Sequence, residues 1–85
     1  MKKLLKRKLF NQNGYTKNYF LWEISTDKGP IFEVIEEFKG HSIARVMLKG
    51  LFYNKLKALN EFRKIVVAEE ASARRVPIGH RLVFS

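Results

Sequence analysis

The sequence has no cysteine, only two prolines and no long hydrophobic run. The absence of cysteine excludes zinc fingers, disulfide scaffolds and thiol catalysis. The longest uninterrupted apolar runs are three to four residues, whereas a membrane-spanning helix needs about 20. The basic residues 1–8 are not followed by the apolar stretch that a secretory signal requires. Together these absences predict a cytoplasmic protein.

Residue patterns that could support catalysis or hold a cofactor are also lacking. His41 and His80 each follow a glycine, and neither has further ligands at the spacing of a metal site. Adjacent Glu36 and Glu37 point to opposite faces of a strand, so they do not form a joint acid–base site. The five glycines are scattered and make no phosphate-binding loop. We therefore predict that the protein is not an enzyme and uses no metal or cofactor.

Positive charge is abundant, and it is unevenly distributed. The formal net charge is +9. Residues 1–17 carry six lysines and arginines and no acid, whereas residues 18–40 carry five acids and two bases. Residues 71–85 add three arginines and no acid. Basic ends around an acidic centre favour a polyanionic partner, because neutralised phosphates release condensed counterions.

The N-terminal part of the chain predicts a hairpin. The 85 residues form one domain, 1–85, in which residues 1–17 are either a basic N-terminal arm or the first hairpin strand. Residues 11–14 contain Asn-Gly, which favours a tight turn, and we expect a four-residue loop there. A short helix over residues 2–10 is the alternative. Residues 19–24 are rich in aromatic side chains and predict the next strand.

The rest of the chain predicts further strands and one helix. A turn follows at residues 26–30, where Asp, Gly and Pro cluster. Residues 31–38 and 41–49 fit either strands or two short helices, and we favour strands. Residues 54–70 carry apolar side chains at helical spacing behind Asn54, a good N-cap.

These elements define an α+β fold, with a small antiparallel sheet of three or four strands packed against one long C-terminal helix. A mostly helical fold with a short C-terminal strand is the alternative. We expect residues 76–79 to break the helix and residues 81–84 to form a last short strand. The predicted core consists of Phe20, Trp22, Ile24, Val34, Val46, Leu56, Leu59, Phe62 and Val66.

The basic ends lead to the first functional prediction, a small nucleic-acid-binding or accessory domain. Lysine and arginine side chains at the two ends would contact the phosphate backbone, and arginine favours bidentate phosphate contacts. The predicted nucleic-acid-binding residues are Lys2, Lys3, Lys6, Arg7, Lys8, Lys17, Arg74, Arg75 and Arg81.

The alternative is a protein-binding module, such as an inhibitor or adaptor of a phage or mobile element. On the strand pattern above, the sheet surface facing away from the helix is apolar with an acidic rim, which suits a protein partner or a second copy of the chain. The predicted partner-binding residues are Tyr19, Leu21, Glu23, Ile31, Glu33 and Ile35. A membrane-surface role is less favoured, because the apolar stripe of residues 4–10 is too short for anchoring.

Overall fold

The computed structural model describes the backbone of residues 1–79 and the side chains of residues 1–72. Four antiparallel strands form one sheet in the order β1-β2-β3-β4, and a long helix follows. The elements are β1 Lys2–Gln12, β2 Tyr15–Thr26, β3 Gly29–Lys39, β4 Ala44–Phe52 and α1 Lys55–Gly79. This confirms the predicted α+β class and the strands over residues 31–49, and the mostly helical alternative is wrong.

The first hairpin is confirmed, but its loop is shorter than expected. β1 continues to Gln12, and β2 begins at Tyr15, so the connection has two residues instead of four. Gly14 adopts a φ of 84°, which glycine reaches without steric cost. The short loop pairs Gln12 with Tyr15 and carries this register along the strands, so that Arg7 lies opposite Phe20.

Glycine is also required at the second turn and at a bulge in β4. The turn between β2 and β3 leaves only Asp27 and Lys28 unpaired, and Gly29 adopts a φ of 112°. Between β3 and β4 the register shifts by one residue beside Gly50. A Cβ atom at Gly50 would lie 2.6 Å from the Phe52 ring. Glycine at this bulge therefore lets Phe52 fold back towards the core.

The helix packs on the face of β2 that was predicted to face solvent. Leu21 and Val34 pair across β2 and β3, and both are fully buried. Tyr19 and Phe32 are buried on the same face, which we call the helix side. The core cluster of buried side chains is Phe10, Tyr19, Leu21, Phe32, Val34, Ala58 and Phe62.

The predicted core is therefore wrong for β2. Phe20, Trp22 and Ile24 alternate with the buried residues, so they lie on the opposite face, which we call the open face. Because β2 is apolar on both faces, its period alone does not select the buried one. Val46 and Leu56, also assigned to the core, are each 66% exposed.

The helix begins where the sequence predicts. The side-chain oxygen of Asn54 accepts a hydrogen bond from the Lys57 amide at 3.0 Å, which is N-cap geometry. Phe62 is buried, and Leu59 and Val66 are partly buried against the core, as expected. Within the described chain, this helix does not combine the length and apolar content needed to cross a bilayer.

The expected end of the helix is not observed. α1 continues through residues 76–79 to Gly79, so the predicted break there is wrong. Pro77 has no backbone N–H, so one helical hydrogen bond is missing. Because Pro77 lies only two residues before Gly79, little of the helix depends on that hydrogen bond. The predicted strand at residues 81–84 lies outside the described residues.

Removing the N-cap should destabilise the protein measurably. Asn54→Ala is expected to lower the free energy of unfolding by about 1 kcal/mol, because a helical amide loses its partner. Urea unfolding followed by far-ultraviolet circular dichroism measures this change. Asn60→Ala is the matched control, since Asn60 is exposed within the same helix. An equal loss in the two variants would contradict a capping role.

Candidate nucleic-acid interface

A β-bulge in β1 decides which basic side chains reach the open face. Arg7 pairs with Phe20, and Leu4 pairs with Trp22, so Leu5 is an extra residue between two regular stretches. Leu5 packs against the core cluster. On the N-terminal side of Leu5, the side chains that point to each face are exchanged. As a result Lys2, and not Lys3, lies on the same face as Arg7. The bulge therefore places Lys2 on the open face together with Arg7.

Two aromatic rings lie beside these cations on β2. The Phe20 and Trp22 rings are stacked, with centroids 6.2 Å apart and planes inclined by 25°. The Arg7 guanidinium lies 5.8 Å from the Phe20 centroid, and the Lys2 ammonium lies 4.9 Å from the Trp22 centroid. Both distances are within the range of cation–π attraction. Aromatic and basic side chains thus form one contiguous group, which we call the aromatic row.

The two cations lie at opposite ends of the row. Arg7 donates a hydrogen bond from Nε to Asn18 Oδ1 at 3.3 Å, and Asn18 precedes Phe20 by two residues on the same face. Lys2 pairs with Ile24, which follows Trp22 by two residues. Along β2 the order is therefore cation, aromatic ring, aromatic ring, cation. The rings are only partly buried, so they remain accessible to a planar ligand.

The remaining lysines of β1 lie on the helix side of the sheet edge. Lys3 pairs with Glu23, and Lys6 lines a cleft of about 340 Å³ between sheet and helix. Lys8 forms an ion pair with Glu70, with Nζ and Oε2 3.8 Å apart. Because β1 is an edge strand, lysines from both faces border the same open edge. The edge is strongly basic whichever face a side chain occupies.

Lys17 does not belong to this surface. Its Nζ lies 3.2 Å from Glu69 Oε1, and the Tyr19 hydroxyl donates to the same oxygen at 3.1 Å. Burial, followed by the charges of Glu36 and Glu69, raises the pKa of the Tyr19 phenol well above its ordinary value. The phenol therefore stays a neutral donor. This partly buried group holds α1 against β2, and Lys17 is a structural residue.

The arginines near the C-terminus are only partly covered by the structure. Arg74 and Arg75 belong to α1, but their side chains lie outside the described part, as does the whole of Arg81. The contribution of these three arginines to nucleic-acid binding therefore stays a prediction.

Acidic residues border the aromatic row on its other side. Glu33 lies opposite Trp22, and Glu37 lies opposite Asn18, both on the open face of β3. Glu36 points to the helix side, where it is buried and lies 3.7 Å from the Lys49 ammonium. A polyanion on the open face is therefore favoured along β1 and β2 and repelled from β3.

The predicted partner-binding face needs correction. Tyr19 and Leu21 are 3% and 0% exposed, so neither lines an accessible surface. Glu23 pairs with Phe32 and therefore lies on the helix side. Ile31, Glu33 and Ile35 do lie on the open face, as predicted, but their neighbours on β2 are aromatic and not the residues we expected. The reason is that β2 turns towards the helix the face that was predicted to point away from it.

The aromatic row did not emerge from the sequence, because both faces of β2 are apolar and Phe20 and Trp22 were predicted to be core residues. A two-residue Asn-Gly loop is the strongest short hairpin signal, and it directly pairs Arg7 with Phe20. That register was available from the sequence. The bulge at Leu5, which brings Lys2 to Trp22, had no such signal.

Comparison of the chain with protein-family models, curated proteins and solved structures found no match.

Proposed function

We propose that this protein binds single-stranded nucleic acid along β1 and β2 of the open sheet face. The observation that supports the proposal most strongly is the stacked pair of Phe20 and Trp22 with a cation at each end. Proteins that bind single strands combine aromatic platforms for bases with positive charge that follows the backbone. The aromatic row offers both within one short stretch of sheet.

A single strand fits this surface better than a duplex does. The rings can stack only on bases that are not already paired and stacked inside a double helix. A base that extends the aromatic pair at either end would replace Lys2 or Arg7 on the ring. The displaced cation would then be free to contact the adjoining phosphate, a charge-assisted contact.

The phosphate backbone would lie towards the β1 edge. Lys3, Lys6 and Lys8 border this edge from the helix side, whereas Glu33 and Glu37 border the row from β3. Charge therefore increases from negative to positive across the open face in the direction of β1. This gradient orients the strand with its bases over β2 and its phosphates over β1.

The salt dependence of binding tests the proposal. We expect the chain to bind a short labelled oligodeoxythymidylate more tightly than a duplex of equal length, as measured by fluorescence anisotropy. The double substitution Lys2→Ala, Arg7→Ala should weaken binding and reduce the slope of log K against log salt by about 1.4, because each phosphate contact on a single strand contributes about 0.7.

A matched control removes the same charge elsewhere. Lys55 and Lys57 are exposed in the first turns of α1, so Lys55→Ala, Lys57→Ala should leave the slope near that of the unsubstituted protein. Equal slope changes in the two double variants would show that only net charge matters. No binding of either oligonucleotide at low salt would refute the proposed function.

A further inference from the structure

The two edges of the sheet differ sharply in chemistry. The β1 edge carries five lysine and arginine side chains, and charges of this kind prevent unwanted strand pairing. The β4 edge instead exposes apolar side chains on both faces. Val46 and Leu48 are 66% and 53% exposed on the open face, and Met47 is 41% exposed on the helix side. An edge strand that exposes several neighbouring apolar side chains is a site at which another strand can pair.

We propose that β4 pairs in antiparallel fashion with β4 of a second copy of this chain, around a two-fold axis near Leu48. Leu48 is the middle residue of Ala44–Phe52, so the pairing uses the whole strand. In such a pair Leu48 faces Leu48, every other contact occurs twice by symmetry, and the assembly closes after two copies. The result is one continuous sheet of eight strands.

The charges identify a second copy as the occupant of this edge. β4 has two bases, and both have a partner in their own chain. Lys49 lies 3.7 Å from Glu36, and the Arg45 guanidinium lies 5.1 Å from the centroid of the Phe38 ring. The middle of the edge, residues 46–48, therefore presents only apolar side chains. An identical apolar strand complements this edge better than a charged segment does.

The same arrangement also keeps the strongly basic strands apart. In an eight-stranded sheet the two β1 strands are separated by seven strand spacings, or about 34 Å. The Debye length at physiological salt is about 8 Å, so their mutual repulsion is screened. Pairing β1 with β1 would instead bring five cations of each copy within one strand spacing of each other. Pairing β1 with β4 leaves unpaired edges and propagates into a filament.

The dimer has a consequence for the open face. An antiparallel edge-to-edge pair has its two-fold axis perpendicular to the sheet, so the open faces of both copies lie on the same side. Five strand spacings separate the two β2 strands, or about 24 Å. The proposed dimer interface is formed by β4 alone, so a test of dimerisation is independent of a test of nucleic-acid binding.

Sedimentation equilibrium of the full chain tests the proposal. The 10.0 kDa chain is expected to sediment with twice that mass, and Leu48→Lys should raise the dimer dissociation constant at least about 100-fold. Two lysines facing each other at the axis create a like-charge contact that opposes association. Leu9→Lys is the control, because Leu9 is 45% exposed on the open face of the other edge strand and should leave the dimer intact.

Circular dichroism separates loss of the dimer from loss of the fold. Leu48→Lys should retain the spectrum of the unsubstituted chain, since Leu48 is half exposed in the single copy. A monomeric mass for the unsubstituted chain at high concentration would overturn the proposal, as would equal dissociation constants for the Leu48→Lys and Leu9→Lys variants.

Cysteine substitution tests the position of the axis. Because the sequence has no cysteine, a single introduced thiol reports only on its own contacts. Under mild oxidation Leu48→Cys is expected to form an intermolecular disulfide rapidly, since facing residues of an antiparallel pair lie within disulfide range. Leu9→Cys should form it at least tenfold more slowly. Equal rates for the two variants would exclude pairing through β4.

Discussion

Leu21→Ala is expected to lower the free energy of unfolding by about 3 kcal/mol. Leu21 is fully buried at the centre of the sheet, opposite Val34 and beneath the helix. Truncation removes buried methyl groups and leaves a cavity that the neighbouring side chains fill only in part. For a small domain this is a large share of the total stability. Urea unfolding at one fixed protein concentration measures the loss, because dimerisation would otherwise contribute.

Ile24→Ala is the informative comparison for this experiment. Ile24 lies on the open face of the same strand and is only partly buried, so its truncation should cost about 1 kcal/mol. The substitution with the larger loss of unfolding free energy shows which face of β2 the helix covers. A larger loss for Ile24→Ala than for Leu21→Ala would mean that the helix covers the opposite face of the strand.

Trp22→Leu is expected to weaken binding of single-stranded nucleic acid about 5- to 150-fold. Loss of a base–aromatic stacking contact costs about 1–3 kcal/mol per base, and 1.4 kcal/mol corresponds to a factor of ten. Leucine retains apolar bulk on the open face but provides no flat ring. Because no phosphate contact is removed, the salt dependence should stay unchanged. Anisotropy titrations with oligodeoxythymidylate at several salt concentrations provide both measurements.

The control for this substitution is an aromatic residue outside the aromatic row. Tyr53 is 78% exposed between β4 and α1, and Tyr53→Leu should bind as the unsubstituted chain does. A loss of affinity without a change in salt dependence for Trp22→Leu would indicate base stacking. A smaller slope of log K against log salt for the Lys2, Arg7 double variant would indicate phosphate contacts. Unchanged affinity in Trp22→Leu would show that bases do not stack on the aromatic row.

Local features of the fold could be read from the sequence because short-range chemistry determines them. Asn54 caps the helix through its own side chain, and Gly14 permits the backbone angle that the first turn requires. The alternation of Glu36 and Glu37 places them on opposite faces of any strand. Each of these features depends on a few neighbouring residues, so no distant contact could override it.

The candidate site was predictable only in part, for a related reason. The basic character of residues 1–17 is a property of composition, and it led directly to β1. Which cations share a face, however, depends on the loop length and on the bulge at Leu5. Lys17 illustrates the difference, since its contact with Glu69 joins residues far apart in the chain. The sequence therefore identifies a basic residue but does not show whether that residue is already paired within the fold.

The sequence by itself predicted the α+β class, the positions of the first two turns, the start of the helix and the basic character of residues 1–17. Tertiary structure alone decided which face of β2 is buried, because both faces are apolar and only packing against Val34 and Phe62 distinguishes them. That choice leaves Phe20 and Trp22 on the open face, partly buried, beside Arg7 and Lys2. It also leaves apolar side chains of the β4 edge exposed among the described residues of one copy. Local propensity determined the elements, and long-range packing determined the surfaces they present.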